Sequence, residues 1–315
     1  MITLQDIQNA RERIRPHLYP TPLEPAPGLA ADAWLKLENA NSTHSFKIRG
    51  ALNAALSLSD EEKARGLVAA SSGNHAQALA YAAKLAQVEA VICMPNHTPR
   101  RKVEGAQRWG AITRTDYANY DDAEADALRL AQEENRTFVS AYNHPQVIAG
   151  AGTIGLEILD ELPEVARVVV CVSGGGLIAG VATAVKSLRP DVEVIGVCAQ
   201  NAPSMYNAFY STNYPEVWKT LAEALSGGIE AGSITVPLVK QYVDHMVLVT
   251  EAQIASAIRW CANDAGWLVE GGGAVGVAAL LSEVIPDNGQ QTAVVVSGGN
   301  IDGDTLRDVL MGVPY

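Results

Sequence analysis

The stretch Val168-Val169-Val170-Cys171-Val172-Ser173-Gly174-Gly175-Gly176-Leu177 indicates the fold class of this chain. Its first five residues are apolar on both faces, as a strand inside a covered parallel sheet must be. Three glycines follow, and the run at 178–188 then has the composition of a helix. The segment therefore predicts a strand, a glycine turn and a helix in succession, which is the repeating unit of α/β proteins.

The same alternation continues in both directions along the chain. Further strands are predicted at residues 33–37, 66–70, 90–94, 193–197 and 293–296. Further helices are predicted at residues 75–85, 100–109, 121–135, 146–160 and 251–262. We expect an α/β protein with mostly parallel sheets, in which ligands bind where strands end and loops lead into helices.

Composition indicates a globular protein that binds neither membranes nor nucleic acid. The 315 residues suggest about two domains. Acidic residues exceed basic ones by 35 to 23, and the net charge of -12 disfavours nucleic acid and anionic membranes as partners. No apolar stretch is long enough to span a bilayer, and the first six residues lack the pattern of a secretory signal. The four cysteines are far apart, which fits reduced thiols, so we expect a cytoplasmic protein.

One lysine stands at the start of a predicted helix, in Ser45-Phe46-Lys47-Ile48-Arg49-Gly50-Ala51. Taken alone, Lys47 would be interpreted as a solvated residue on a helix face. The helix macrodipole, however, destabilises an ammonium group at a helix N-terminus. A neutral amine is what Schiff-base formation requires, so Lys47 is a candidate nucleophile.

Two loops between a strand and a helix are suited to binding anions. In Ala70-Ser71-Ser72-Gly73-Asn74-His75-Ala76-Gln77, three potential capping side chains occur together, whereas a simple N-cap needs only one. In Ser173-Gly174-Gly175-Gly176-Leu177, three glycines allow the backbone N–H groups to wrap an anion, whereas a plain turn needs one or two. No Lys-Ser/Thr pair follows these glycines, so we predict a phosphate that is held rather than transferred.

Two further glycine segments follow later in the chain. Ser297-Gly298-Gly299-Asn300-Ile301-Asp302 comes after the last predicted strand, and Ser297 could donate a hydrogen bond to a buried aromatic nitrogen, although a simple turn would also explain the segment. The segment 271–276 matches the glycine spacing of a dinucleotide-binding fingerprint, but only one clear strand follows it, whereas a dinucleotide-binding fold needs a full βαβ unit there. An oxidoreductase is therefore disfavoured.

Histidines and cysteines show no metal-ligand spacing, so no metal site is predicted. No Gly-x-Ser-x-Gly motif supports a hydrolase.

Together and in this order, these segments resemble the serine/threonine dehydratase family of pyridoxal-phosphate enzymes of fold type II, which are similar to tryptophan synthase β and include serine racemase. The segments 34–39 and 147–157, together with Glu270, extend the resemblance over nearly the whole chain. The resemblance implies pyridoxal 5'-phosphate as cofactor and two domains, each a mostly parallel twisted sheet flanked by helices. The large domain would comprise residues 1–65 and 145–315, and the small domain residues 66–144. We also expect a homodimer.

The resemblance implies a role for each matching residue. Lys47 would be the Schiff-base lysine and the base at the α-carbon, and Ser72 would be a second catalytic group. The residues that bind the cofactor would be Phe46, Lys47, Asn74, Ser173, Gly174, Gly175, Gly176, Leu177, Glu270 and Ser297. The residues that bind the substrate would be Ser71, Ser72, Asn74 and His75.

The implied reaction is loss of water from a small β-hydroxy amino acid such as L-threonine or L-serine, giving a 2-oxo acid and ammonia. Serine racemases and hydroxyaspartate dehydratases share the scaffold, and Ser72 is compatible with either. Outside this class, a non-catalytic small-ligand-binding protein would explain the glycine loops but not Lys47 in its motif. Cys198 and Ser204 stand where racemase-type relatives carry acidic metal ligands, so we expect activity without a divalent metal. The sequence also departs from the family pattern at His44, where the family often has glycine.

Overall fold

The computed structural model describes residues 2–217 and 219–313. Within these ranges the strands are β1 (Leu23–Pro25), β2 (Ala33–Leu37), β3 (Leu67–Ala70), β4 (Ala90–Pro95), β5 (Ile112–Tyr117), β6 (Thr137–Phe138), β7 (Arg167–Cys171), β8 (Glu193–Ala199), β9 (His245–Val249) and β10 (Thr292–Val296). The helices are α1 (Leu4–Ile14), α2 (Lys47–Leu56), α3 (Asp60–Arg65), α4 (Asn74–Ala86), α5 (Arg100–Gln107), α6 (Tyr120–Glu133), α7 (Pro145–Glu161), α8 (Gly176–Leu188), α9 (Ser204–Tyr210), α10 (Thr235–Tyr242), α11 (Glu251–Asn263), α12 (Gly271–Leu281) and α13 (Gly303–Leu310).

The strands form two sheets. The larger sheet has the order β1-β2-β10-β7-β8-β9, and only β1 and β2 pair in the antiparallel direction. The smaller sheet has the order β5-β4-β3-β6 and is parallel throughout. The last of the described strands, β10, therefore lies inside the larger sheet between β2 and β7. The predicted α/β fold with mostly parallel sheets is confirmed.

The strands that apolar runs predict are those buried on both faces. Every residue of β7, β4 and β10 is buried, as expected for strands covered by helices on both sides. The prediction at residues 33–37 has the observed bounds of β2, and the other predicted strands agree within two residues. Among the described residues, every helix is too short or too polar to traverse a lipid bilayer.

Helix α7 is the central helix of the packing and touches α1, α2 and α8. A Cβ atom added at Gly150 would lie 2.5 Å from the Arg49 carbonyl oxygen, and one added at Gly180 would lie 2.3 Å from the Ile148 carbonyl oxygen. The backbones of α2, α7 and α8 thus approach closely enough to exclude any side chain at these two positions. This packing fixes α2, which begins at Lys47.

A buried network of charged groups joins β2, α2 and α7. The Arg49 guanidinium donates to Glu38 Oε2 at 2.7 Å and to Glu157 Oε1 at 2.5 Å. Glu157 Oε2 also pairs with Lys36 Nζ at 2.8 Å. Lys36, Glu38 and Arg49 are all buried, so each charge depends on its partners for compensation. The network anchors α2 only two residues beyond Lys47.

Candidate active site

A cavity of about 960 Å³ lies where strands of both sheets end. The ends of β3, β7 and β10 lead into three of the loops that line it. The structure brings every site residue predicted from sequence to its wall: Phe46, Lys47, Ser71, Ser72, Asn74, His75, Ser173, Gly174, Gly175, Gly176, Leu177, Glu270 and Ser297. Residues up to 251 positions apart in the chain thus face one space, as the rule for parallel sheets predicts.

Lys47 is held in the cavity by backbone pairing between its own segment and the loop after β10. Phe46 N donates to the Ser297 carbonyl oxygen at 2.9 Å, and Gly299 N donates to the His44 carbonyl oxygen at 2.9 Å. His44 has a φ of 55°, in the left-handed region that glycine favours, which explains why a glycine would suit this position.

The Lys47 amine is a weakened base. Its Nζ donates to the Ala141 carbonyl oxygen at 2.7 Å. Burial lowers the pKa of Lys47 to about 8, while the nearby Cys171 and Glu270 act in the opposite direction. A carbonyl oxygen does not compensate a charge as a carboxylate does, so the neutral amine is accessible near physiological pH.

The glycine loop before α8 has the geometry of an anion cradle. The helix begins at Gly176, and its N-cap Gly175 has a φ of 87° and makes no side-chain capping bond. A Cβ atom at Gly174 would lie 2.5 Å from the Tyr142 ring, and one at Gly176 would lie 2.8 Å from Tyr142 Cα. The loop therefore has no space for side chains and presents backbone N–H groups at a helix N-terminus, which fits a phosphate group.

The loop before α4 is a second helix start without a side-chain cap. Helix α4 begins at Asn74, and its N-cap Gly73 makes no side-chain capping bond. Ser71 Oγ accepts a hydrogen bond from Gly73 N at 3.3 Å, outside the helix. The simple interpretation of this segment as a Ser or Asn N-cap therefore does not describe the structure. The first N–H groups of α4 remain available for a carboxylate.

Asn74 and Glu270 contact each other across the cavity. Asn74 Nδ2 donates to Glu270 Oε1 at 2.6 Å, and Asn74 Oδ1 accepts from Asn300 Nδ2 at 2.8 Å. Burial raises the pKa of Glu270 to about 7, and the hydrogen bond from Asn74 opposes this rise. A carboxyl group that is neutral for part of the physiological pH range therefore lies beside Asn74, one of the residues predicted to bind the cofactor.

His75 is a neutral imidazole. Its Nε2 lies 2.9 Å from the Val139 carbonyl oxygen, and because a carbonyl only accepts, Nε2 carries the proton. Burial lowers the pKa of His75 to about 3, so the ring stays neutral and Nδ1 is left as an acceptor. An acceptor cannot bind a carboxylate, so any contribution of His75 to carboxylate binding comes from its backbone N–H.

Several residues that line the cavity do not belong to the predicted motifs. Cys171 ends β7, and burial raises the pKa of its thiol to about 11, while the nearby Ser297 acts in the opposite direction. Its place at the end of the strand before the glycine loop is a signal that could have identified it. Other residues of this kind are Tyr120, Glu124, Tyr142 and Glu230. They come from α6 and from loops whose sequences carry no recognisable motif.

The chain is similar over nearly its whole length to proteins of known family. It is 42% identical to a putative threonine dehydratase of Sinorhizobium fredii, over 99% of this chain and 96% of the relative. It is 44% identical to an L-threonine ammonia-lyase of Thermotoga maritima, over 98% of this chain and 78% of the relative. Its structure matches maize serine racemase with a TM-score of 0.91 at 30% identity, covering 99% of this chain and 97% of that one. Since the model of the pyridoxal-phosphate dependent enzymes matches residues 14–298, the chain belongs to this family and uses pyridoxal phosphate, as its motifs predicted.

Proposed function

We propose that this protein is an ammonia-lyase that converts a small β-hydroxy amino acid, such as L-threonine or L-serine, to a 2-oxo acid and ammonia. The observation that carries the proposal is the placement of the Lys47 amine, with its lowered pKa, in one cavity with two uncapped helix starts. One helix start suits a phosphate and the other a carboxylate. Relatives named as threonine dehydratase and L-threonine ammonia-lyase support the same reaction.

The residues present fit the cofactor. Ser173 and the N–H groups of 174–177 would hold its phosphate, and Ser297 would face its pyridine nitrogen. Asn74 would bind its phenolic oxygen, Phe46 would lie beside its ring, and Lys47 would hold it covalently. When bound, pyridoxal phosphate withdraws electrons from the α-carbon of the attached amino acid.

The remaining work is done by side chains and backbone of this chain. Lys47, with a pKa of about 8, is a base matched to neutral pH and takes the α-proton. The first turn of α4 orients the carboxylate, and Ser71 and Ser72 line the same wall. Ser297 is uncharged and would not keep the cofactor's pyridine nitrogen protonated, which would favour expulsion of the β-hydroxyl over long storage of charge.

The test is product formation from both substrates. Purified holoenzyme is incubated with L-threonine or L-serine, and the 2-oxo acid and ammonia are measured together. We expect equal amounts of the two products from wild type and none from Lys47→Ala. Absence of both products with both amino acids would contradict the proposal.

A racemase activity is the second candidate. It is favoured by Ser72, whose side chain lines the cavity that also holds Lys47, and by the similarity to maize serine racemase. Formation of D-serine from L-serine by the holoenzyme would establish it.

A further inference from the structure

Two carboxylates from separate parts of the chain line one wall of the active-site cavity. Glu124 lies on α6 and accepts a hydrogen bond from the Tyr120 hydroxyl at 3.2 Å. Glu230 lies in the loop before α10 and accepts from Ser140 Oγ at 3.1 Å and from Asn143 Nδ2 at 2.7 Å. All of these partners are neutral donors, so they orient the carboxylates without cancelling their charge.

Both carboxylates are linked to the elements that would hold the substrate. The Tyr142 hydroxyl accepts from Glu230 N at 2.8 Å, and the neighbouring Ala141 carbonyl oxygen accepts from Lys47 Nζ at 2.7 Å. On the other side, the Tyr120 hydroxyl lies 3.4 Å from the carbonyl oxygen of Ala70, which directly precedes the loop 71–73 before α4. The wall thus extends from the reactive amine to the loop proposed to bind the substrate carboxylate. The β-substituent of a bound amino acid would lie between the two.

No cation of the described residues pairs with this wall. Within 4 Å, neither Glu124 nor Glu230 meets a lysine, arginine or histidine in residues 2–217 and 219–313. Lys102, which lines the same cavity, is paired with Glu223 at 3.5 Å, and Arg101 donates to the Ile301 carbonyl oxygen at 3.3 Å. Burial raises the pKa of Glu124, and Glu230 adds to this rise, so the two charges act on each other.

The cavity as a whole is also lined by more negative than positive side chains. Its lining contains six carboxylates, Asp121, Glu124, Glu223, Glu230, Glu270 and Asp302. Against these stand four cations, Lys47, Arg101, Lys102 and Arg108. The phosphate of the cofactor and the α-carboxylate of a substrate add further negative charge, and each is to be held by a helix start rather than by an arginine.

We propose that Glu124 and Glu230 set the charge selectivity of the site, so that it accepts amino acids with a neutral or cationic β-substituent and rejects those with a second carboxylate. The inference rests on the proposed function and narrows it to serine- and threonine-like substrates rather than hydroxyaspartate. Like charges in a cavity of low dielectric repel more strongly than in water, which is the physical basis of the rejection.

The experiment compares asparagine with aspartate, which differ little except in charge and have no β-hydroxyl to lose. Their dissociation constants are measured by calorimetry on the wild-type holoenzyme and on Glu124→Gln, Glu230→Gln and the double variant. We expect wild type to bind asparagine about 10- to 100-fold more tightly than aspartate. The double variant should bring this ratio close to one, mainly by improving the binding of aspartate.

The matched control is Glu133→Gln, because Glu133 lies on the same helix but is exposed and pairs with Arg129. It should leave the ratio unchanged. Since Glu230→Gln also disturbs the bonds to Ser140 and Asn143, Glu124→Gln is the deciding single variant. In each variant, an asparagine affinity close to that of wild type shows that the cavity is intact.

Equal affinity of wild type for the two ligands, or a ratio that persists in the double variant with asparagine affinity retained, would overturn the inference. The proposed function fails separately: if serine and threonine give no product while the ratio responds as expected, charge selection stands and the ammonia-lyase proposal falls. If both substrates are converted but the ratio of affinities does not change in the variants, the ammonia-lyase proposal stands and charge selection by Glu124 and Glu230 falls.

Discussion

The amide of Asn74 donates to the carboxyl group of Glu270 at 2.6 Å, which links the first turn of α4 to the N-cap of α12. The Asn74 amide nitrogen carries two protons, and this bond uses one of them. The other remains for the phenolic oxygen that Asn74 is predicted to bind. Glu270 therefore fixes the amide orientation in which Asn74 faces the cofactor as a donor.

The first prediction concerns Glu270 and pH. Burial raises the pKa of Glu270 to about 7 from its ordinary value of 4.5. Between these values the folded protein holds a proton that the unfolded chain has released, so the stabilisation is complete below 4.5 and is lost as pH rises through 7. We expect the free energy of unfolding of wild type relative to Glu270→Gln to fall over this range. Denaturant unfolding of both proteins across pH would measure it, and parallel curves would contradict it.

The second prediction concerns Lys47. Because capture of the cofactor needs a neutral amine, its rate should rise with pH and level off above about 8. Borohydride reduction and peptide mapping should place the label on Lys47, and Lys47→Ala should lose activity by at least about 10²-fold. A label on Lys36 or Lys102 would reject the assignment.

The third prediction tests the glycine loop through Gly174. In Gly174→Ala the new Cβ atom would lie 2.5 Å from the Tyr142 ring, so the loop or the ring must shift. Such overpacking costs about 1–3 kcal/mol, and we expect cofactor affinity to fall about tenfold or more. Gly303→Ala is the control, since a Cβ atom there meets nothing within 4 Å. Equal affinities of the two variants, measured by fluorescence titration of apo-protein, would exclude the loop as the phosphate site.

The fourth prediction concerns Ser72. A serine hydroxyl is a poor base unless a neighbour lowers its pKa, and His75, with a pKa of about 3 and its Nε2 bound to Val139, is a weak candidate for that task. We therefore expect Ser72→Ala to lower kcat/KM for L- and D-serine by similar factors. Solvent deuterium should enter on one face of the α-carbon in wild type. Loss of exchange on a second face, confined to one enantiomer, would instead show that Ser72 transfers protons.

The fifth prediction is that exhaustive chelation leaves the rate nearly unchanged. Cys198 is buried in β8, and Ser204 carries a neutral hydroxyl that donates to Glu216 Oε2 at 3.2 Å, so neither position supplies a carboxylate ligand to magnesium or calcium. A large loss of rate that magnesium restores would show that other groups form a site.

Sequence patterns predicted the strands inside the sheets, which are largely buried on both faces and therefore mostly apolar. They missed the strands at the sheet edges. Strand β5 has the sequence Ile-Thr-Arg-Thr-Asp-Tyr and lies at the edge of the smaller sheet, where it pairs only with β4. Because it is partly exposed, most of its residues are polar, and no apolar run marks it as a strand. Helix α12 was not predicted, because glycine disfavours helices. Its glycines are explained by packing: a Cβ atom at Gly273 would lie 2.4 Å from the Gly298 carbonyl oxygen, where α12 passes the loop after β10.

For the site, sequence analysis identified residues that stand in motifs and missed single residues brought in by the fold. Lys47 and Gly175 have informative neighbours in the sequence, whereas Tyr142 and Glu230 do not. Their relation to the cavity depends on how distant loops meet, which no local pattern records. The homodimer, the cytoplasmic location, the division at residues 66–144 and the individual residue roles stay predictions.

The position of β10 has a consequence for synthesis on the ribosome. Residues 292–296 emerge after all the other strands of the two described sheets, yet they fill the gap between β2 and β7. Until then both neighbours present unpaired strand edges, and such edges are open to pairing with other chains. Nascent chains that stall before residue 292 should therefore be the aggregation-prone species and the ones that chaperones retain, even when the smaller sheet has formed.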